Sequence, residues 1–171
     1  MQISTIVLPA ALCTLVAACG REPSWTVSSE GFGLVHIGMT VEQAEQKFGR
    51  KFPERSPGPE EIDCDYSANG EGYAGFAFMI ENNIVVRVDV FRGNIATDKG
   101  ARVGDTEKRV LDLYAGRIRK GPHFYTGPEG HYLRVSDPDG RVRLIFETDG
   151  KVVTNYHAGR EETVEFVEVC Q

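Results

Sequence analysis

The chain has no CxxC pair, no HxxxH or HxH spacing, no GxSxG elbow and no GxGxxG that opens a helix. The first absence argues against thiol redox chemistry. The second removes the spacing that sets two metal ligands on one face of a helix or strand. The last two leave no nucleophile elbow and no dinucleotide cradle. A basic excess is lacking too: 19 Lys and Arg stand against 25 Asp and Glu, for a net charge of -6. Nucleic-acid binders present a basic face, so no nucleic-acid partner is expected. Tryptophan occurs once, as Trp25, either at a membrane interface or packed on the domain.

Long apolar runs are also scarce, and the clearest one opens the chain. Met1 to Ala18 contains no acidic or basic side chain. It is short for a membrane span, which needs about 20 apolar residues, and fits a secretory signal peptide over residues 1–18. Its start lacks the Lys or Arg usual in such signals. Val16-Ala17-Ala18-Cys19 resembles the bacterial lipobox. That resemblance implies a lipid on Cys19, an anchor in the outer membrane facing the periplasm (Gly20, not Asp, follows the cysteine), and a lipidated tether over 19–30. The alternatives are an ordinary signal with an incidental Cys19, or an uncleaved anchor.

Four cysteines are present. With Cys13 in the signal and Cys19 taking lipid, Cys64 and Cys170 remain. An even pair in an exported domain reads as a disulfide. It would close a loop of about 100 residues, worth roughly 4–5 kcal/mol in the chain-entropy model. Two free thiols or a metal pair are the alternatives.

What the chain does have is an internal echo. Ile37 to Phe48, IGMTVEQAEQKF, returns as Val103 to Tyr114, VGDTEKRVLDLY. Superposing them sets Gly38 on Gly104, Thr40 on Thr106, Ala44 on Val110 and Phe48 on Tyr114. Thr40 with Gln43 forms a capping-box pattern. Val41, Ala44 and Phe48 share one helix face, and Gly49 is a left-handed stop. In the second copy Val110, Leu111 and Tyr114 take that face.

Strand patterns follow each copy. Ile84 to Phe91 alternates Val86, Val88 and Val90 with Arg87 and Asp89, which reads as one dry and one wet face. Glu81-Asn82-Asn83 supplies its turn. Asp149-Gly150 signals a type I′ hairpin. His123 to Tyr125, His131 to Val135 and Thr163 to Val169 read as further strands. The expected fold is α+β: a duplicated helix-plus-antiparallel-hairpin module, with two short helices packed on one side of an antiparallel sheet. The first repeat spans 31–92 and the second 93–171.

The stretch GLVHIGMTVEQAEQKFG, with aromatic strands after it in a small exported protein, resembles the SmpA/OmlA (BamE-like) lipoprotein family. The tandem arrangement is similar to the β-lactamase inhibitor protein fold. What the resemblance implies is a non-enzymatic, protein-binding module.

The remaining chemistry-bearing residues read blandly. His123 and His131 bracket a Gly/Pro loop and form the first pair to examine for a metal. Asp137 and Asp139 lie in a turn that lacks the further oxygen ligands of a calcium loop. Glu165 and Glu168 read as solvated charges. Tyr66, Tyr73, Phe76, Phe78, Tyr125 and Tyr132 are core, or a contact surface if the sheet has an open face. No catalytic residue, metal site or cofactor is assigned. The expected function is that of an envelope lipoprotein holding a protein partner through the sheet face and the loops Arg50–Glu61 and Gly121–Gly130. Alternatives are binding of a lipid or cell-wall fragment, enzyme inhibition, or catalysis at a cleft with His123 or His131 beside a carboxylate.

Overall fold

Gly38 and Gly104 adopt φ of 96° and 89°, the left-handed region that glycine enters without steric cost. Each turns the chain into a threonine cap. Thr40 accepts from the Gln43 N–H at 3.2 Å while Gln43 Oε1 accepts from the Thr40 N–H at 3.0 Å, which closes the capping box of helix α1 (Val41–Phe48). Gly49, at φ 84°, ends it. Thr106 caps α2 (Glu107–Leu113) by accepting from the Arg109 N–H. With arginine in place of glutamine, no return bond is made.

The computed structural model describes residues 25–52, 56–57, 63–67, 75–168 and 170. The expected signal segment 1–18, Cys19 and the tether up to residue 24 lie outside these residues, as do Tyr73 and most of the loop after Lys51.

The fold is mostly β, which corrects the α+β expectation. Among the described residues two antiparallel sheets dominate, and the three helices have only eight, seven and four residues. The smaller sheet has the order β1 (Val27–Ser28), β2 (Gly31–Phe32), β3 (Val35–His36). The larger has eight strands: β4 (Ser56–Pro57), β5 (Cys64–Tyr66), β6 (Phe76–Glu81), β7 (Ile84–Val90), β8 (Ile118–Pro122), β9 (His131–Ser136), β10 (Val142–Thr148) and β11 (Val153–Gly159). Their spatial order is β4-β5-β6-β7-β11-β10-β9-β8. The helices are additions to this sheet. A helix layer was expected because the capped segments carry the clearest periodicity, yet each is about two turns long, and most of the buried surface comes from strands.

The two echoed segments are held alike. The Gly38 N–H donates to Val85 O, the Val85 N–H to Met39 O and the Val41 N–H to Asn83 O, at 2.8–3.0 Å. Gly104 with Val153, Val153 with Asp105, and Glu107 with Lys151 repeat these bonds at 2.8–3.0 Å. Each glycine-to-threonine segment thus extends the hairpin that follows it.

The main core lies between the helix side and one sheet face. Ala44, Phe78, Ile80, Val88, Val110, Phe146 and Tyr156 are almost fully buried there. Trp25 packs on the domain, its ring 5.3 Å from Phe32 and 5.2 Å from Phe48. Residues 27–30 belong to the fold and not to a tether: Val27 is wholly buried and its N–H donates to Ala96 O. Leu111, expected on the buried helix face, is exposed.

The turns divide. Asn82 and Asn83 both take positive φ, as a tight primed turn requires. At Asp149-Gly150 only the glycine does, so the type I′ expectation fails. The Asp149 carboxylate instead accepts from the Lys151 and Val152 N–H groups at 2.8 Å each, and this side-chain cap supports a wider loop. Cys64 and Cys170 form a disulfide with Cα atoms 5.5 Å apart.

Candidate functional site

The sheet face away from α1 and α2 was expected to be wet or open. Its centre is neither. Arg87 and Asp89 on β7 are 3% and 6% exposed. Arg87 Nε and Nη2 grip Asp89 at 2.7–3.1 Å, and Nη1 donates to the carbonyls of Thr163 and Phe166 at 3.1 and 3.0 Å. From β11, buried His157 directs Nε2 to Val164 O at 2.8 Å. Three carbonyls of the C-terminal segment are therefore satisfied by side chains. This explains why residues 163–168, within a strand-like pattern, do not add a strand: helix α3 (Glu161–Val164) and its continuation lie across the sheet face.

The electrostatics follow from the cover. Burial, and then the positive charge of Arg87, push the His157 imidazole below its ordinary value. Burial and the nearby Asp89 push the Tyr66 phenol up.

Beyond His157 the polar row continues outward. Glu147 on β10 stands 3.7 Å from His157 Nδ1, accepts from Asn155 Nδ2 at 3.1 Å and meets His123 Nε2 at 2.9 Å. The His123 ring stacks on Tyr132 at 4.5 Å between centroids. Its Nδ1 accepts from the Tyr125 N–H at 3.1 Å and the Thr126 N–H at 3.3 Å. The backbone of Phe124 meets the Tyr132 hydroxyl. Residues 123–125 are thus no strand but the start of a tight loop. It is closed by His123 N–H to Gly130 O, Gly127 N–H to His123 O and Gly130 N–H to Thr126 O, each at 2.9 Å.

That loop lifts two aromatics into solvent. Phe124 is 72% exposed and Tyr125 61%, with their rings 5.0 Å apart, edge to face. Tyr125 O–H also reaches the Glu168 carboxylate. Arg134 lies over the Tyr132 ring and pairs with Glu165 at 2.8 Å, so the two C-terminal glutamates are engaged with this loop and its strand.

His131, next in the expected metal pair, engages the opposite sheet face. Its Nδ1 lies 2.6 Å from Glu107, which also binds Lys120 at 2.7 Å and Thr148. Burial raises the Glu107 pKa, but the bonds from Lys120, Thr148 and His131 outweigh it and hold the carboxyl below its ordinary value. His123 and His131 therefore do not converge. Among the described residues no group of three His, Cys, Asp or Glu side chains is placed to hold a metal ion.

A cavity of about 570 Å³ opens between the β1–β2 turn and the β9–β10 turn, lined by Ser29, Glu30, His36, Asp137, Asp139 and Arg143. Its two aspartates are already matched. Asp137 pairs with Arg117 at 3.1 Å, and Arg141 holds Asp139 at 2.6 Å and lowers its pKa to about 2. The lining is charged, the wrong chemistry for a lipid chain.

Two features escaped the sequence. The Arg87–Asp89 clamp was legible only as two opposite charges on one strand face. Phe124-Tyr125 was hidden inside an assumed strand, although the Gly and Pro residues after it signal a loop.

No family model and no curated protein sequence matches the chain. Among solved structures, it is similar to the uncharacterized protein yfeY from Escherichia coli, at 13% identity and a TM-score of 0.49, over 79% of this chain and 99% of that one. A likeness this distant carries no argument about function, and it does not name the SmpA/OmlA family.

Proposed function

We propose that the protein is an outer-membrane lipoprotein, anchored through Cys19 and facing the periplasm, that holds another envelope protein without catalysis of its own. The observation that carries this reading is the exposed Phe124–Tyr125 pair on a loop fixed by side chains of β9 and β10. Binding hot spots are enriched in aromatic residues and arginine. Held rigid, they lose little conformational freedom on association. Phe124 and Tyr125, with Arg134 close by, have that composition. The resemblance of Val16-Ala17-Ala18-Cys19 to a lipobox supports the location, and triacylation of the cysteine would give the two or more chains that stable anchoring needs.

Catalysis is disfavoured by how the polar groups are used. His123 and Glu147 are engaged with each other and with the loop, while Glu107, next to His131, is saturated by Lys120, Thr148 and His131.

The test is chemical cross-linking of the full-length protein in cells, read by mass spectrometry, beside a Phe124→Ser/Tyr125→Ser variant and a Cys19→Ala variant. One envelope protein recovered at near-stoichiometric level, lost in the loop variant and weakened without the lipid, is the expected result. Equal recovery with and without the two aromatics contradicts it.

A further inference from the structure

We infer that His123 is a proton-operated latch on the Phe124–Tyr125 loop: the neutral ring holds the Tyr125 and Thr126 amides of the binding tip, and the doubly protonated ring lets them go. This rests on the proposed role of the loop as the partner contact. The hydrogen bonds fix the tautomer. Nδ1 accepts from two backbone N–H groups, those of Tyr125 and Thr126, so it carries no proton. Nε2 then carries the hydrogen and donates it to Glu147 at 2.9 Å. A protonated imidazole has two donors and no acceptor. Adding the second proton turns Nδ1 from the acceptor for both amides into a donor pointed at them. The Glu147 contact survives and strengthens as an ion pair, so the ring stays while the tip loses its two imidazole tethers; the backbone bonds that close the loop and the Tyr125–Glu168 contact remain.

The ring is surrounded by groups from three elements and its own loop. From β10 comes Glu147, backed by Asn155 and His157 of β11. From β9 comes Tyr132, stacked on the ring, with Arg134 over the other ring and Glu165 paired to that arginine. Within the loop stands Tyr125, whose hydroxyl is engaged by Glu168.

Asparagine provides a control that does not titrate. Its side-chain oxygen, one bond from Cγ as Nδ1 is, can accept from the N–H groups two and three residues on, as in an Asx turn. His123→Asn should keep the tip tethered at every pH.

The experiment is NMR on the purified full-length protein from about pH 8 to about pH 5, following the His123 ring nitrogens and the Tyr125 and Thr126 amides. The expected result is that both amides shift and broaden at the midpoint of the ring titration, and stay constant in His123→Asn. Three results overturn the latch: a ring that titrates while the amides do not move, a ring that does not titrate in this range, or amide changes that persist in His123→Asn. Cross-linked partner recovery at the two pH extremes is read separately. A severalfold fall in acid, absent in His123→Asn, extends the latch to binding. Coupled NMR shifts without any partner recovery leave the latch standing and remove the binding reading.

Discussion

Arg87 reaches 76 residues along the chain to Thr163, its Nη1 donating to that carbonyl at 3.1 Å. The same guanidinium pairs with Asp89 at 2.7 Å, with both side chains less than a tenth exposed. One side chain therefore neutralises a buried carboxylate and ties the C-terminal segment to the central strand.

Removing it strands that carboxylate. Arg87→Met is expected to lower stability by about 3–5 kcal/mol, the cost of breaking one side of a buried ion pair. Replacing both partners, as Arg87→Met/Asp89→Leu, should recover a large part of the loss. Urea midpoints of the three proteins check this, and a single variant within about 1 kcal/mol of the parent would count against the clamp.

The disulfide closes the same segment from the other side. Cys64 and Cys170 are 106 residues apart in sequence, so the Cys64→Ser/Cys170→Ser variant should lose about 4–5 kcal/mol in the chain-entropy model. Thermal melts with and without reductant test it: the parent in reductant should approach the double variant.

Acid stability has a contribution from His157. Burial and Arg87 hold its pKa below the ordinary value, so the folded form keeps it neutral. The unfolded chain takes up the proton first as pH falls through about 6.5. Stability is therefore whole above that pH and declines below it, by up to about 1.4 kcal/mol per pH unit. His157→Gln, which retains a donor for Val164 O, should flatten this limb in denaturant titrations between about pH 7 and about pH 5. An unchanged slope would contradict the assignment.

The helix caps differ in a measurable way. Thr40 makes a reciprocal box with Gln43, whereas Thr106 only accepts from the Arg109 N–H. Each Thr→Ala change should cost about 1 kcal/mol, with Thr40→Ala the larger. Equal urea midpoints for the two variants would refute the difference.

Local chemistry was readable wherever a residue's own backbone demands decide the structure. Gly38, Gly104, the Thr40–Gln43 box, the left-handed Gly49 and the Asn82-Asn83 turn were all visible from residue type and spacing. The Cys64–Cys170 pair was readable from cysteine number. What failed depended on remote partners. Residues 163–169 carry a strand-like alternation, but Arg87 and His157 capture the carbonyls of Thr163, Phe166 and Val164. Arg87 and Asp89 look like a solvated face until the C-terminal segment covers them. Two capped helices suggested a helix layer, whereas the larger sheet draws strands from Ser56 to Gly159.

The Phe124–Tyr125 tip is the proposed docking site for the partner. A photoreactive residue placed at Phe124 in cells, compared with one at exposed Lys108 on α2, tests it most directly. One discrete protein adduct is expected from position 124, weakened by Cys19→Ala, and none from position 108. The same adducts from both positions, or none from either, would contradict it.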